Sequence, residues 1–331
     1  MAVFGRRFSR SALCSRVFVR TVVAGVAAAM FCSSIAGTAS AQKAEKKARV
    51  IDEKSLTAGD GWPLQITYFK SAAGKEAPAV ILLHMQNSNR LVWRATRPGY
   101  PEGFAGRLQE EGYAVVSLDL RKHGQSKGTM ATAVDSKKDT TSLSADDYQR
   151  MALDLDAVKD FLLEEHQAGN LNIRKTAIVA PGFTAPIAIN FSLADWLKKP
   201  YDDAPTFAAK TPRGQDIRAI VLLSPEESVP GVNAGRAILD LRNPSLGVSF
   251  LIAYGTKDKL DRGDSRKIHQ KLASLPANKD RMYLQGFDSK MRGTEMLGER
   301  LKLEETILGF LKKHLADLPD EWRDRKSRLS S

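Results

Sequence analysis

The chain has 331 residues, of which 43% are apolar and 27% are charged, and its formal net charge is +12. Residues 42–331 are long enough for one hydrophobic core to stabilise them. The basic residues are interspersed with acidic ones and are not interleaved with aromatic residues, so we expect no nucleic-acid partner. Both cysteines, Cys14 and Cys32, lie in the first 41 residues, which excludes disulfides, thiol catalysis and cysteine metal ligands from residues 42–331.

The first 41 residues have the order of features that is typical of a secretory signal peptide. A basic segment without acidic residues comes first, and its arginines are Arg6, Arg7, Arg10, Arg16 and Arg20. An apolar run over residues 21–37 follows, and Ala39-Ser40-Ala41 forms a cleavage site of small residues. We therefore predict a periplasmic or secreted protein that meets the membrane only transiently, through this peptide, and has a charged linker at residues 42–48. The alternative is an uncleaved anchor, but the run is short against the roughly 20 apolar residues that a span needs.

Short β-branched runs alternate with stretches of helical period from residue 49 to residue 316. Strands are predicted at residues 64–69, 79–83, 113–118, 176–179, 219–223, 250–254 and 282–284. Helices are predicted at residues 101–111, from Ser144 onward with Asp147 completing a capping box, and along Leu303, Ile307, Phe310 and Leu315. This alternation indicates an α/β fold, with a mostly parallel central sheet and helices on both faces. Residues 317–331 are predicted to form a polar C-terminal tail.

Ligands of such sheets bind at the carboxyl ends of the strands, so the residues directly after each strand matter most. The strand at residues 113–118 is followed by Asp119-Leu120-Arg121-Lys122-His123-Gly124-Gln125-Ser126. The segment GYAVVSLDLRKHGQS resembles the strand and D-x-R-G-H-G-x-S motif of α/β-hydrolases, and the order of elements is similar as well. The resemblance implies an α/β-hydrolase-like domain over residues 49–316. The segment between Ser224 and Val248 is too short for a separate lid domain, so we expect an open site with no large lid.

The resemblance also implies a nucleophile elbow, G-x-S-x-G, between a buried strand and a helix, with the acid and the histidine following in the chain. Here the strand continues as Ala180-Pro181-Gly182-Phe183-Thr184, which places Gly182 at the nucleophile position. The elbow holds its central residue at positive φ, a conformation that glycine adopts at little cost. A shifted frame would make Thr184 the nucleophile, but a β-branched residue at positive φ is an outlier.

The acid and base positions follow later in the chain. The resemblance places the acid at Asp258, in the order strand-G-x-x-D. The family loop H-G-T-x-x-L is here Arg292-Gly293-Thr294-Glu295-Met296-Leu297, with arginine in the place of histidine. Of the five histidines, His269 alone lies between Asp258 and Leu301, and it precedes the last predicted strand and so does not stand in this loop. Arginine stays charged at any working pH and cannot act as a general base, and without a base a hydroxyl is not activated.

Other residues are expected around this site or away from it. His84 flanks the oxyanion loop in the family pattern, and Met85 and Phe183 are expected beside it in the pocket. His123 takes a family position that shapes a loop. The remaining histidines are predicted to be surface or edge residues of helices; these are His166, His269 and His314. Because His84 and His123 are far apart in sequence and lack a further ligand motif, we expect no metal and no cofactor.

The substitutions predict an exported hydrolase-like protein that lacks Ser-His-Asp chemistry, and therefore a non-catalytic binding or accessory protein. The alternative is an active esterase, lipase or peptidase with relocated catalytic residues, for which Ser224, Glu226 and Glu227 are the candidates. A non-hydrolytic enzyme that uses His84 or Arg292 as an acid or electrophile is a third hypothesis. The sequence names no partner.

Two arrangements of the altered site are open. In the first, Arg292 and the N-terminus of a helix near Thr184 hold a small ligand or anion in the former active-site pocket. In the second, Arg292 forms an ion pair with Asp258 that braces the loop. We favour the ion pair, because its partner is already present in the sequence.

Overall fold

The structure, a computed structural model, describes residues 49–96, 101–128, 142–298 and 300–329. The predicted signal peptide and linker lie outside these residues. The strands are β1 (Val50–Thr57), β2 (Pro63–Lys70), β3 (Pro78–Leu82), β4 (Ala114–Asp119), β5 (Asn172–Pro181), β6 (Ile217–Leu223), β7 (Ser228–Val229), β8 (Val232–Asn233), β9 (Ser249–Gly255) and β10 (Met282–Phe287). The α-helices are α1 (Gly103–Glu110), α2 (Ala145–Gln167), α3 (Thr184–Leu197), α4 (Gly235–Leu241), α5 (Asp264–Leu272) and α6 (Leu303–Leu311), and a π-helical turn, Lys312–Ala316, continues α6.

Eight strands form one sheet in the order β1-β2-β4-β3-β5-β6-β9-β10. Strand β2 is antiparallel to both β1 and β4, and the pairs from β4 to β10 are parallel. The predicted α/β fold with a mostly parallel sheet is therefore confirmed. The carboxyl ends of β3, β5, β6, β9 and β10 lie along one edge of the sheet, which brings the loops that follow them together.

Helices cover both faces of the sheet, because the central strands are apolar on both sides. All residues of β3 and β9 are buried. One face packs against α2, α3, α4 and α5, and the other face packs against α1 and α6. The two apolar clusters thus form the layers that the alternating sequence pattern predicted.

The long helix α2 begins at the predicted cap. The Ser144 hydroxyl accepts a hydrogen bond from the Asp147 amide at 3.2 Å, and the Asp147 carboxylate accepts one from the Ser144 amide at 2.7 Å. This reciprocal pair is the predicted capping box, and it satisfies amides that the first helical turn leaves without partners.

Residues 317–329 pack against the domain although their sequence is polar. The Trp322 indole donates to the carbonyl of His166 at 3.1 Å, and its ring lies 4.8 Å from the His166 ring. The buried Arg325 forms an ion pair with Asp216 at 2.7 Å. The side-chain amide of Asn172 donates to the carbonyl of Asp320 at 2.8 Å. The C-terminal segment therefore covers the end of α2 and the start of β5.

The described part of the chain has no large lid. Between Ser224 and Val248 it contains only the β7–β8 hairpin, the short helix α4 and a turn of 3-10 helix. Among the described residues, no helix is both long enough and apolar enough to cross a membrane.

Candidate functional site

The turn between β5 and α3 carries Gly182 at the position that the resemblance assigns to the nucleophile. Gly182 has φ +57°, the left-handed conformation in which glycine avoids the strain of other residues. Its amide donates to the Leu223 carbonyl at 2.9 Å, and its carbonyl accepts from the amides of Ala185 and Glu226 at 3.2 Å each. These bonds hold the turn tightly between β5, α3 and the segment after β6. The turn is thus an elbow without a hydroxyl at its apex.

The half-buried side chain of Met85, which follows β3, lies directly over this apex. A Cβ atom on Gly182 would lie 3.0 Å from the Met85 sulfur, and a Cβ atom on Gly293 would clash with the same sulfur. Met85 therefore fills the space between the nucleophile position and the loop that follows β10. Sequence reasoning placed Met85 in the pocket but did not predict that it packs on both glycines.

An ion-pair cluster occupies the region where the acid and the base are expected. The guanidinium of Arg292 contacts Asp258 Oδ2 at 2.9 Å and Glu226 Oε1 at 3.1 Å. The side chains of Arg292 and Asp258 are 11% and 4% exposed, whereas Glu226 is 39% exposed. The predicted pair between Arg292 and Asp258 is confirmed. The contact with Glu226 was missed, although its position just after β6 places it at the same edge of the sheet.

The loops that carry Asp258 and Arg292 are joined through their backbones. The Lys257 amide donates to the Ser289 carbonyl at 2.9 Å. A Cβ atom on Gly255 would lie 2.5 Å from the Met291 carbonyl oxygen, so this close approach requires glycine. The Asp258 carboxylate also accepts from the Leu260 amide at 2.9 Å. The acid is therefore fixed in place beside the arginine by its own loop.

Ser224, one of the candidates for a relocated nucleophile, lies at the end of β6 inside this cluster. It has φ +46° and is fully buried, and its hydroxyl oxygen accepts a hydrogen bond from the Gly293 amide at 3.1 Å. A non-glycine residue at positive φ marks strain that the surrounding bonds must hold. The neighbouring Glu227 forms its ion pair with Lys271 on α5.

Thr184, the other fallback nucleophile, lies in the first turn of α3. Its side chain is fully buried, and its hydroxyl donates to the Pro181 carbonyl at 2.8 Å. The bond closes the turn between strand and helix. This geometry disfavours Thr184 as a nucleophile, because its hydroxyl proton is already committed to a backbone carbonyl.

His84 lies beneath the site with both ring nitrogens bonded to backbone. Its Nδ1 donates to the Met85 carbonyl at 2.8 Å, and its Nε2 accepts from the Leu120 amide at 3.1 Å, which defines a neutral tautomer. Burial, together with the neighbouring His123, lowers the pKa of His84 from 6.5 to about 4. The His123 ring lies between His84 and Phe183, 4.8 Å and 5.8 Å from their rings. His84 and Phe183 thus belong to a buried stack of rings beside the elbow, and their expected role in a pocket stays a prediction.

Two of the other histidines are not surface residues, so that prediction was wrong. His166 is fully buried and His314 is 9% exposed, while His269 is half-buried on α5. Trp322 packs against the His166 ring and shields it from solvent. The helical pattern of α2 alone cannot reveal this contact. His314 is buried because the π-helical turn directs it toward β9 and β10.

Among the residues that the structure describes, the hydroxyl of Ser249 lies within hydrogen-bond reach of a histidine. Ser249 Oγ and His314 Nδ1 are 3.2 Å apart, and the other ring nitrogen of His314 lies 3.1 Å from the Tyr283 hydroxyl. Ser249 begins β9, whereas Asp258 follows its end, so the pair lies roughly 20 Å away from the ion-pair cluster. Since His314 is oriented by a phenol and not by a carboxylate, the arrangement lacks the third group of a triad.

The arginine of this cluster stands at the position of the family's base but cannot act as a general base. Arg292 is a permanent cation that is paired with two carboxylates, and Gly182 has no side chain that could act as a nucleophile. Among the described residues, no group of three or more histidine, cysteine, aspartate or glutamate side chains is placed to hold a metal ion. The arrangement is instead suited to fixing three loops of the sheet edge relative to one another.

Comparisons with known proteins identify the fold. No protein family's sequence profile matches the chain, and no curated protein sequence matches it. Solved structures do match: an esterase from Pyrococcus furiosus is similar with a TM-score of 0.54 and 16% identity, over 81% of this chain and 92% of that one. A dienelactone hydrolase from Anabaena variabilis is similar with a TM-score of 0.54 and 14% identity, over 81% of this chain and 99% of that one. The chain therefore has the α/β-hydrolase fold, as its resemblance implied.

Proposed function

We propose that this chain is an exported α/β-hydrolase-like protein that acts by binding and not by hydrolysis. The observation that carries the proposal is the contact of Arg292 with both Asp258 and Glu226, at 2.9 Å and 3.1 Å. A histidine in the place of Arg292 could take a proton from a nucleophile, but a paired guanidinium cannot. Gly182 at the elbow supports the same conclusion, because no hydroxyl stands where the fold presents one.

Export rests on the sequence of residues 1–41, and its test is independent of the site. Expression of the full chain in a bacterium, followed by cell fractionation and mass measurement of the N-terminus, checks it. We expect the extracytoplasmic form to begin at Gln42. A cytoplasmic protein that keeps Met1 would refute export.

The second candidate function is an active hydrolase with relocated groups. The solved neighbours include an esterase and a dienelactone hydrolase, and Ser224 lies within the cluster at a strained φ. Against it, the Ser224 hydroxyl bonds to a backbone amide, and the nearby His84 has both nitrogens bonded to backbone. Binding of a small anion beside Arg292 is also disfavoured. The two negative charges of Glu226 and Asp258 exceed the one positive charge of Arg292, so the cluster would repel an anion.

Turnover of a short-chain p-nitrophenyl ester, together with labelling by a fluorophosphonate, separates the two functions. We expect no labelling and no turnover above that of the Arg292→Ala variant. Loss of a triad member lowers the rate by about 10⁴-fold or more in well-studied serine hydrolases. Ser224→Ala and Thr184→Val are the matched variants. Stoichiometric labelling that either variant removes would contradict the proposal and assign the nucleophile.

A further inference from the structure

The sheet ends at β10, and in the described part of the chain no strand pairs with the outer edge of β10. The strand at the other end of the sheet, β1, carries Asp52, Glu53 and Lys54. Charged side chains of this kind protect an edge strand against pairing with another chain. The sequence of β10 is MYLQGF, which contains no charged residue. The edge at β10 therefore lacks the protection that β1 has.

The pairing of β10 with β9 determines which of its main-chain groups face outward. The carbonyls of Arg281 and Phe287 accept hydrogen bonds from amides in and just after β9, at 2.8 Å and 2.7 Å. Because every second residue of a strand bonds to the same neighbour, Leu284 and Gly286 direct their amides and carbonyls away from β9. The Gly286 carbonyl accepts a hydrogen bond from the Gln285 side chain at 3.1 Å. The Leu284 amide and carbonyl and the Gly286 amide are thus the groups to which a further strand could bond.

A cleft of about 270 Å³ lies beside this edge, between β10 and α6, and we call it the edge cleft. Leu251, Leu284 and Phe310 line it with apolar groups. Gly309 of α6 also lines it, and a Cβ atom on Gly309 would have no other atom within 4 Å. The volume of the edge cleft equals that of roughly nine waters, so it accommodates a large apolar side chain.

The edge cleft lies on the side of the sheet to which an added strand would direct half of its side chains. Tyr283 and Gln285 of β10 both line the cleft, and the side chains of a strand alternate between the two faces. Every second side chain of a strand beside β10 would therefore point toward α6. Proteins that bind extended peptides at a sheet edge gain affinity from main-chain hydrogen bonds and specificity from pockets for alternate side chains. The open edge and the adjacent cleft are separate observations that fit the same occupant.

Lys313 adds a positive charge at the rim of the edge cleft. Its side chain is exposed, and its ammonium group donates to the Tyr283 hydroxyl at 3.0 Å and lies 5.6 Å from the centre of the Tyr283 ring. Asp280 acts on Lys313 through its charge, without a hydrogen bond. The ammonium group can therefore also pair with an acidic side chain of a ligand, and such complementary charges favour one partner over another.

We infer that the outer edge of β10 binds an extended peptide segment of a partner protein, which adds a ninth strand to the sheet. The segment places an apolar side chain in the edge cleft and an acidic side chain beside Lys313. The site lies three strand spacings, roughly 14 Å, from β5. The inference goes beyond the proposed function, because it uses no residue of the elbow or of the ion-pair cluster.

Selection from a phage-displayed library of random nonapeptides, on the purified protein, provides the first test. The same selection on the Gly309→Leu variant is the control. We expect peptides that are enriched on the unaltered protein alone, with apolar residues at alternate positions and at least one acidic residue. Failure to enrich such peptides over the control selection overturns the inference.

The Gly309→Leu variant fills the edge cleft without disturbing the fold. Leucine forms helices better than glycine, and the space above Gly309 is open, so the free energy of unfolding in urea should not fall. The dissociation constant of a synthetic enriched peptide, measured by fluorescence anisotropy, should rise by at least about tenfold, because its apolar side chain loses its pocket. Gly309→Ala is the matched variant and should change binding by less than about threefold. Equal binding by Gly309→Leu and the unaltered protein would exclude the edge cleft as the site.

N-methylation of the peptide, one residue at a time, tests whether it binds as a strand. Amides that face β10 should each lose about tenfold in affinity when methylated, whereas amides that face solvent should lose little, so the losses should alternate along the peptide. Losses without this period of two overturn the added strand.

Lys313→Gln tests the contact with the acidic residue. It should weaken binding by about threefold to tenfold, and by much less when the acidic residue of the peptide is replaced by its amide. Arg236→Gln is the control, because Arg236 is 86% exposed on α4 and should leave binding unchanged. Equal effects of Lys313→Gln on the acidic peptide and on its amide would contradict the pairing with Lys313.

A second copy of this chain is the other occupant that an open edge could take. Light scattering measures the mass of the protein in solution with and without the peptide. A monomer that binds the peptide supports the inference. A dimer that Gly309→Leu dissociates and that binds no library peptide assigns the edge to a second copy and overturns the inference.

Discussion

Removal of Arg292 tests the ion-pair cluster directly. In Arg292→Ala, Asp258, whose side chain is 4% exposed in the intact protein, loses its guanidinium partner and keeps the bond from the Leu260 amide. Removing one partner of a fully buried pair typically costs about 3–5 kcal/mol. Because Arg292 is 11% exposed and the surviving amide bond compensates in part, we expect a loss of about 2–3 kcal/mol in the free energy of unfolding.

The assay is urea unfolding at neutral pH, followed by tryptophan fluorescence, in a double-mutant cycle with Asp258→Ala. Coupling between residues in contact is usually about 0.5–3 kcal/mol, and we expect about 1–2 kcal/mol here. The exposed pair of Arg236 and Asp240, 3.0 Å apart, is the control and should couple by less than about 0.5 kcal/mol. Coupling no larger than in the control would refute the view that the cluster braces these loops.

Three further predictions concern other parts of the structure. Gly182→Ala should destabilise the fold by about 1–3 kcal/mol, because residue 182 has a positive φ. Met85→Ala in the same chain should recover part of this loss, because it opens space above the new Cβ atom. Urea unfolding measures both effects. Arg325→Ala should cost about 2–4 kcal/mol, since it removes a buried partner of Asp216, and unchanged unfolding would contradict the packing of the C-terminal segment. Burial lowers the pKa of His84 to about 4, below its ordinary 6.5. As the pH falls below about 6.5, the imidazole takes up a proton in the unfolded state before it does so in the folded one. The free energy of unfolding should therefore decrease by about 3 kcal/mol between pH 6.5 and pH 4. His84→Gln should remove this part of the pH dependence of unfolding, and an unaltered pH profile would argue against a neutral His84.

The central strands could be predicted from the sequence, because a strand that is buried on both faces is a continuous run of apolar residues. The edge strand β1 was not predicted, since only one of its faces is covered and its charged residues alternate with others in VIDEKSLT. The elbow and the ion pair of Arg292 followed from the family motifs, which fix positions along the chain. The contact of Arg292 with Glu226 did not, because it depends on how two loops from different strands meet.

Burial of isolated polar residues was the least predictable feature. His166 lies on a helix whose sequence does not show that Trp322 covers it. Arg325 stands among other charged residues, so nothing local distinguishes it from an exposed arginine. Contacts between residues so far apart in sequence leave no periodic trace, and periodicity is the main signal available to a single sequence.

The packing of residues 317–329 has a consequence for biosynthesis. The contacts of this segment with α2 and β5 join residues 148 to 157 positions apart. At translation rates of about 5–20 residues per second, the ribosome needs roughly 7–30 s to make the intervening chain. During that time the start of β5 and the His166 ring remain uncovered, and Asp216 has Lys159 but not yet Arg325 as a buried partner. The nascent chain therefore cannot complete this packing until its last residues are made, and this delay is compatible with the export that we propose, because a translocation channel requires an unfolded polypeptide.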